Sequence, residues 1–340
     1  MNKKLFFTAW LLTLAATGWT QGPNNSGEYY KAADGKKGAE LKTALCGVIY
    51  NHTERSYGDL WEDFKTTDVR GDGKVWDMYS NISKFEFGTH QDKGSGGTNE
   101  GEYYNREHSF PNSWFGGNKN TPMYTDLYHM YPTDKMVNNR RGNLPFGENN
   151  GESFKSANGF SKIGMCTFEG YNGKVFEPND EYKGDFARTY FYMVTCYEEQ
   201  IPTWYTNFGD KEGVKPTLDG NKYPGLSNWQ LKMLMKWAKN DPVSDKEINR
   251  NNAVYGIQNN RNPFIDYPGL EEYIWGDKVD EAFSYDNYST DIQDIMAEGL
   301  KDGNQGTKIY SADGLLRRTY QRGINIMKQK NGRTRKVMKK

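Results

Sequence analysis

Residues 103–147 gather the side chains that hydrolysis of a phosphodiester needs. Glu107 and His108 are adjacent, with Pro111 close behind. Gly116, Gly117, Asn118 and Lys119 then form a loop. An apolar run with Tyr128, His129 and Pro132 leads on to Asn138, Asn139, Arg140, Arg141 and Asn143. Attack of water on phosphorus needs a base that is free near neutral pH, and imidazole is the natural one. It also needs positive charge on the phosphoryl and leaving oxygens, which a hard divalent ion provides. Neighbouring residues point to opposite sides of a strand and diverge by about 100° on a helix. Glu107 and His108 can therefore serve one site only from two sides, which suits one metal ligand and one base. Magnesium prefers oxygen donors and keeps several waters. The Glu107 carboxylate and the Asn138 amide oxygen meet that demand, and the stretch between them allows a strand, a loop and a helix.

Each of these residues has a plainer reading. A lone His is more often a surface or core residue, and Glu107 could be half of a surface ion pair. Asn138-Asn139 suits a turn or cap, and Arg140-Arg141 a solvated pair. A zinc site on His108 and His129 lacks a third His or Cys at ligand spacing.

The elements that must position these groups follow from periodicity and breakers. Residues 28–52 carry Tyr29, Tyr30, Ala33, Leu41, Leu45 and Ile49 at helical spacing. Residues 56–79 predict a helix or turn around Leu60, Trp61 and Phe64, a turn at Gly71-Asp72-Gly73, and a short strand over 75–79. Asp68, Asp72 and Gly73 match part of a calcium-binding loop, but Arg70 and Tyr79 stand where oxygen ligands are needed, so a turn is expected. A Gly-rich loop over 90–101 leads into a strand over 104–110. Helices are expected over 185–198, over 226–240 with Pro242 ending it, and from 245 to 258. The last follows a Ser244-to-Glu247 capping box. Residues 273–275 are the last expected packed element. A polar linker (277–307) and a basic tail (308–340) with an Asn331-Gly332 hairpin turn follow.

The 340 residues include 24 Tyr and 9 Trp, and mean hydropathy is −0.94. Such aromatic content excludes a solvated, disordered chain. Residues 1–20 read as a secretory signal peptide: Lys3 and Lys4, a short apolar run, then small residues. The run is shorter than the roughly 20 residues a membrane span needs, and no stable span is expected elsewhere. Cys46, Cys166 and Cys196 are an odd number, which fits buried thiols or one bridge and one thiol. Net charge is zero, yet residues 317–340 carry ten Lys or Arg and no acid. With residues 1–20 also set aside, the body holds 32 basic against 44 acidic residues. That is unlike a general nucleic-acid coat protein. It remains compatible with a locally basic cleft helped by a bound cation.

Three segments together resemble the bacterial endonuclease I family of His-Me finger (ββα-metal) nucleases: residues 105–111 (Asn-Arg-Glu-His-Ser-Phe-Pro), 126–132 (Asp-Leu-Tyr-His-Met-Tyr-Pro) and 137–143 (Val-Asn-Asn-Arg-Arg-Gly-Asn). Residues 184–193, 241–244 and 258–266 extend the resemblance, which covers roughly 40–276. It implies an α+β fold, with the nuclease core embedded in helices and loops over 21–276 and a small C-terminal β-hairpin tail. It also implies His108 as general base, Glu107 and Asn138 as metal ligands, and magnesium as the cofactor, with manganese or calcium as alternatives. Arg141, Asn143 and Lys119 are the expected substrate-binding positions. Two departures stand out. Some relatives carry a transition-state Arg in the loop after the His strand, where this chain has only Lys119. Others carry His where Tyr128 stands.

The function implied is a secreted or periplasmic endonuclease, largely sequence-nonspecific, cutting DNA or RNA as a monomer. A surface nucleic-acid-binding protein without cleavage and a phosphodiesterase for small nucleotides are the alternatives. The tail from Ile309 resembles type IX secretion sorting tails, which implies a partner in the secretion machinery and admits the cell surface as a location. A basic nucleic-acid tether and a hairpin packed on the nuclease are the competing readings of the tail.

Overall fold

The structure, a computed structural model, describes residues 22–288 and the backbone of four strands between 308 and 339. The expected signal peptide and the Asn331-Gly332 turn lie outside the described residues. The chain divides into two units, Met1–Asp286 and Asn287–Lys340.

In the first unit, helices α1 (Gly38–Ile49) and α2 (Leu60–Thr67) precede strands β1 (Tyr104–His108) and β2 (Met130–Asp134) and helix α3 (Lys135–Arg141). Strands β3 (Phe154–Lys155), β4 (Lys162–Met165) and β5 (Lys174–Glu177) follow. Then come α4 (Lys183–Cys196), α5 (Ile201–Asn207), α6 (Val214–Thr217), α7 (Asn228–Asn240), α8 (Asp245–Gln258), α9 (Pro263–Asp266) and α10 (Leu270–Trp275). The result is an α+β unit with two small antiparallel sheets, β1-β2 and β3-β4-β5.

Helix α4 is the centre. Every residue from Gly184 to Cys196 is buried, and a helix buried all round must be surrounded by other elements. Helices α1, α7 and α9 pack on it. Its Phe186 and Tyr190 meet Phe146 at ring-centroid distances of 4.6 and 5.2 Å, and Tyr190 also meets Phe110 at 5.3 Å. Tyr190 thereby connects the core to the strand end that carries His108.

Strands β1 and β2 pair with Glu107 opposite Tyr131 and His108 opposite Met130. Pro132 is tolerated because a two-stranded sheet has a free edge on each strand. Asp134 ends β2 and starts α3: its Oδ1 accepts from the Val137 amide at 3.0 Å and its Oδ2 from the Gly101 amide at 2.6 Å. This N-cap sets the angle at which the helix returns across the strands.

Several buried or half-buried charges are paired. Four arginines hold a carboxylate with the Nε–Nη2 edge: Arg55 on Asp63, Arg188 on Glu247, Arg250 on Asp68 and Arg261 on Asp266, all at 2.5 to 3.2 Å. Glu247 also completes the expected capping box with Ser244, and α8 has the expected bounds.

Several local expectations change. The helix expected from residue 28 starts only at Gly38, because residues 34–35 turn and the Gly35 amide bonds to the Phe283 carbonyl at 2.7 Å. No strand forms over 75–79; Val75 makes a single bridge to Val69, and the Tyr79 amide goes to Asp77 Oδ1. The segment resembling a calcium loop is a turn, with Asp68 held by Arg250. The packed unit also runs past the expected boundary at 276. Phe283 is buried against Tyr267, and its amide bonds to the Lys36 carbonyl. All three cysteines are free.

In the second unit, β6 (Lys308–Ser311), β7 (Leu316–Arg317), β8 (Gly323–Lys328) and β9 (Thr334–Lys339) form an antiparallel sheet in the order β7-β6-β8-β9. Ile324 lies opposite Met338.

Candidate active site

Strand alternation separates two sets of side chains on β1: Asn105 and Glu107 on one side, Arg106 and His108 on the other. On the first side, Glu107 is buried. Its Oε1 accepts from Tyr79 Oη at 2.8 Å and from Arg141 Nη1. Arg141 also donates to the carbonyls of His108 (3.1 Å) and Ser109 (2.7 Å), and lies 4.3 Å from the Phe146 ring centroid. Its pKa is raised by the surrounding Tyr79, Glu107 and Tyr190 despite burial. Arg141 is thus an internal clamp on the strand and on Glu107. Arg141, expected at a substrate-binding position, is 1% exposed.

Asn138, on α3, donates through Nδ2 to Asn105 Oδ1 at 2.8 Å. This contact orients the amide and leaves its carbonyl oxygen as the unused end. The Glu107 oxygen not held by Tyr79 and Arg141 is likewise left over. The two remaining groups are hard oxygen donors, and that set fits magnesium. Among the described residues, no cluster of three His, Cys, Asp or Glu could hold a metal.

On the other side, His108 Nε2 is 2.9 Å from the Tyr124 carbonyl oxygen. A carbonyl only accepts, so Nε2 carries the proton and Nδ1 holds the lone pair. Asn112 Nδ2 faces Nδ1 at 3.3 Å. Asn112 is placed by a short helical turn over Asn112–Phe115 that ends at Gly116. Gly116 has φ 89°, and a Cβ there would stand 2.5 Å from Phe208, so only glycine lets this turn close. Burial first, then the neighbouring His129, lowers the His108 pKa well below the usual imidazole value. The ring is therefore neutral at neutral pH.

His129 stands 5.5 Å from His108, ring to ring, and its Nε2 is 2.6 Å from the Met123 carbonyl. Behind it, Asp126 is a buried hub. It accepts from Tyr192 (2.8 Å), Tyr197 (2.7 Å), the Tyr128 amide (3.0 Å) and Gln258 (3.1 Å). Tyr128 itself donates to Asn251 Oδ1 at 2.6 Å and is a framework residue.

Lys119 is exposed, 5.6 Å from the Tyr57 ring centroid. Asn143 lies past the end of α3, where its carbonyl packs on Gly213. Asn105, Arg106, Asn112, Tyr57 and Tyr79 were not singled out by sequence reasoning. The period of two along β1 was the available signal for Asn105 and Arg106, since they share faces with Glu107 and His108. Nothing local marks Tyr57 or Tyr79, which reach the site from distant turns.

The chain is a nuclease. Residues 37–269 match the Endonuclease I family model, and the chain belongs to that family. It is 36% identical over 275 residues to an extracellular ribonuclease of Bacillus subtilis (strain 168), covering 79% of this chain and 84% of that protein. It is 36% identical over 252 residues to an extracellular ribonuclease of Bacillus amyloliquefaciens, covering 73% and 78%. A periplasmic deoxyribonuclease of Aeromonas hydrophila is 26% identical over 158 residues, covering 44% and 54%. Extracellular and periplasmic relatives support a secreted or periplasmic location. Among the described residues, no helix is long and apolar enough to cross a membrane.

Proposed function

We propose that this protein is a secreted or periplasmic, divalent-metal-dependent endonuclease, largely indifferent to sequence, whose β1-β2-α3 unit is a His-Me finger. The observation that carries the reading is the hydrogen bonding of His108. The Tyr124 carbonyl fixes the proton on Nε2, so Nδ1 is the base, and burial keeps it unprotonated. The long contact from Asn112 is one that an attacking water can displace. His108 then takes the water's proton at Nδ1 as the oxygen approaches phosphorus. The Tyr124 carbonyl stabilises the imidazolium that results.

Glu107 and Asn138 would hold the ion, magnesium or another hard cation. When bound, it supplies positive charge to the phosphoryl and leaving oxygens. Arg141 and Tyr79 hold the Glu107 carboxylate in place, and Asn105 holds the Asn138 amide.

RNA stands beside DNA as a substrate, because the two relatives at 36% identity are named ribonucleases and the Aeromonas relative a deoxyribonuclease. The test is cleavage of supercoiled plasmid and of a structured RNA, with and without EDTA, by wild type and His108→Ala. EDTA-sensitive cutting lost in the variant is expected. Undiminished cutting by the variant rejects His108 as base, and binding without cutting by wild type rejects an enzyme.

The C-terminal sheet serves export rather than cleavage. This reading is supported by the family match ending at residue 269, before the second unit begins.

A further inference from the structure

Arg106 stands two residues before His108 on β1 and so faces the same side of the strand. Its guanidinium carbon lies 3.5 Å from the Tyr57 ring centroid and 4.3 Å from that of Trp61. Nη1 donates to the Tyr57 carbonyl. The Tyr57 ring in turn stacks against His108, with centroids 6.0 Å apart and planes 19° apart. Two aromatic contacts and a backbone carbonyl therefore fix the plane of the Arg106 fork beside the base.

The four arginines described above each close their Nε–Nη2 edge on a carboxylate. Arg106 turns the same edge to no carboxylate: Nε is buried without a hydrogen bond, and the side chain interacting with the guanidinium is the Tyr57 phenol rather than an acid. A buried N–H left unmet is costly, and an incoming anion removes that cost. Lys119, near the same Tyr57 ring, adds positive charge to this side of the site.

We propose that the Nε–Nη2 edge of Arg106 grips the non-bridging oxygens of the scissile phosphate. A guanidinium makes this two-pronged contact with phosphate, and an ammonium cannot. The hydrogen bonds strengthen as negative charge grows on those oxygens, so Arg106 acts on the transition state more than on the bound substrate. The assignment rests on His108 as the neighbouring base. It supplies the guanidinium that the loop after β1, with Lys119 as its cation, lacks.

The experiment is steady-state cleavage of a fluorescent oligonucleotide by wild type and by Arg106→Ala, Arg106→Gln and Arg106→Lys, with melting curves for each. In Arg106→Ala, kcat falls by about 10²- to 10³-fold, as when one transition-state donor is removed, while KM stays within about threefold. Arg106→Lys stays at least about tenfold below wild type, since a point charge does not reproduce the fork. Millimolar guanidinium ion added to Arg106→Ala restores part of the rate, which a purely structural loss would not allow. If the Ala variant is unfolded, Arg106→Gln, which keeps the stem, gives the same readout. A kcat within about threefold of wild type in a folded variant, or a loss confined to KM, overturns the proposal. A wild type that cleaves neither DNA nor RNA overturns instead the function on which it rests.

Discussion

Arg141 is buried against Glu107, donating to the same carboxylate oxygen that accepts from Tyr79, and it reaches on to the carbonyls of His108 and Ser109. One guanidinium thus holds both the side chain and the backbone of the strand that presents the base. Removing one partner of a buried pair leaves an uncompensated charge, which costs about 3–5 kcal/mol. Arg141→Met should lose stability of that order in urea unfolding. A loss below about 1 kcal/mol would show that Glu107 is held without the clamp.

The proposed function divides β1 between proton transfer at His108 and metal holding at Glu107. His108→Ala should lower kcat by about 10²- to 10⁴-fold and leave manganese affinity, read by calorimetry, within about threefold. Glu107→Ala should lose both. Equal loss of metal affinity in the two variants would remove His108 from its role as base.

Asn105 touches neither base nor substrate in this arrangement; it fixes the Asn138 amide. Partners of this kind are worth about 10- to 100-fold in metal affinity. Asn105→Ala should weaken manganese binding by that factor, and Asn105→Asp, which keeps the acceptor, should restore most of it. Asn138→Asp should keep binding but alter the preference between magnesium and manganese. Unchanged ion dependence would count against Asn138 as a ligand.

Glu271 is buried on α10 with Oε2 unpartnered, and burial raises its pKa from 4.5 to about 7. Between these two values the folded state binds the extra proton. Its contribution to stability is therefore full below pH 4.5 and is lost as pH rises through 7. The shift corresponds to about 3 kcal/mol at most. Glu271→Gln, which mimics the protonated form, should gain in melting temperature relative to wild type between pH 5 and pH 8. A constant difference across that range would show that the carboxyl is not shifted.

The proposed base and metal ligands were named from the sequence, and the structure sets their strand β1 against helix α3. Glu107, His108 and Asn138 sit in a short window, and strand alternation already required two sides for the first two. Helix α8 was legible because a capping box is written in four consecutive residues. The burial of Arg141 was not legible, because it depends on Tyr190 of α4 meeting the end of α3, which no local pattern encodes. The stack of Trp61, Arg106, Tyr57 and His108 joins the pair 57/61 to the pair 106/108 across more than 40 residues, so no local pattern linked the two pairs. The segment past 276 looked like a linker because Phe283 and Tyr285 are the buried side chains among its described residues, and two are too few for a periodic signal.

The hub at Asp126 has a consequence for the order of events in the life of the chain. Asp126, Leu127 and Tyr128, just before β2, are held by Gln258, Asn251 and Asn260, more than 120 residues later. Contacts of such sequence separation form late in folding. A chain emerging N-terminus first, from a ribosome or through a membrane, has its base and metal ligands exposed long before their support arrives. The segment before β2 therefore gains this support only once residues 251–260 have folded against it.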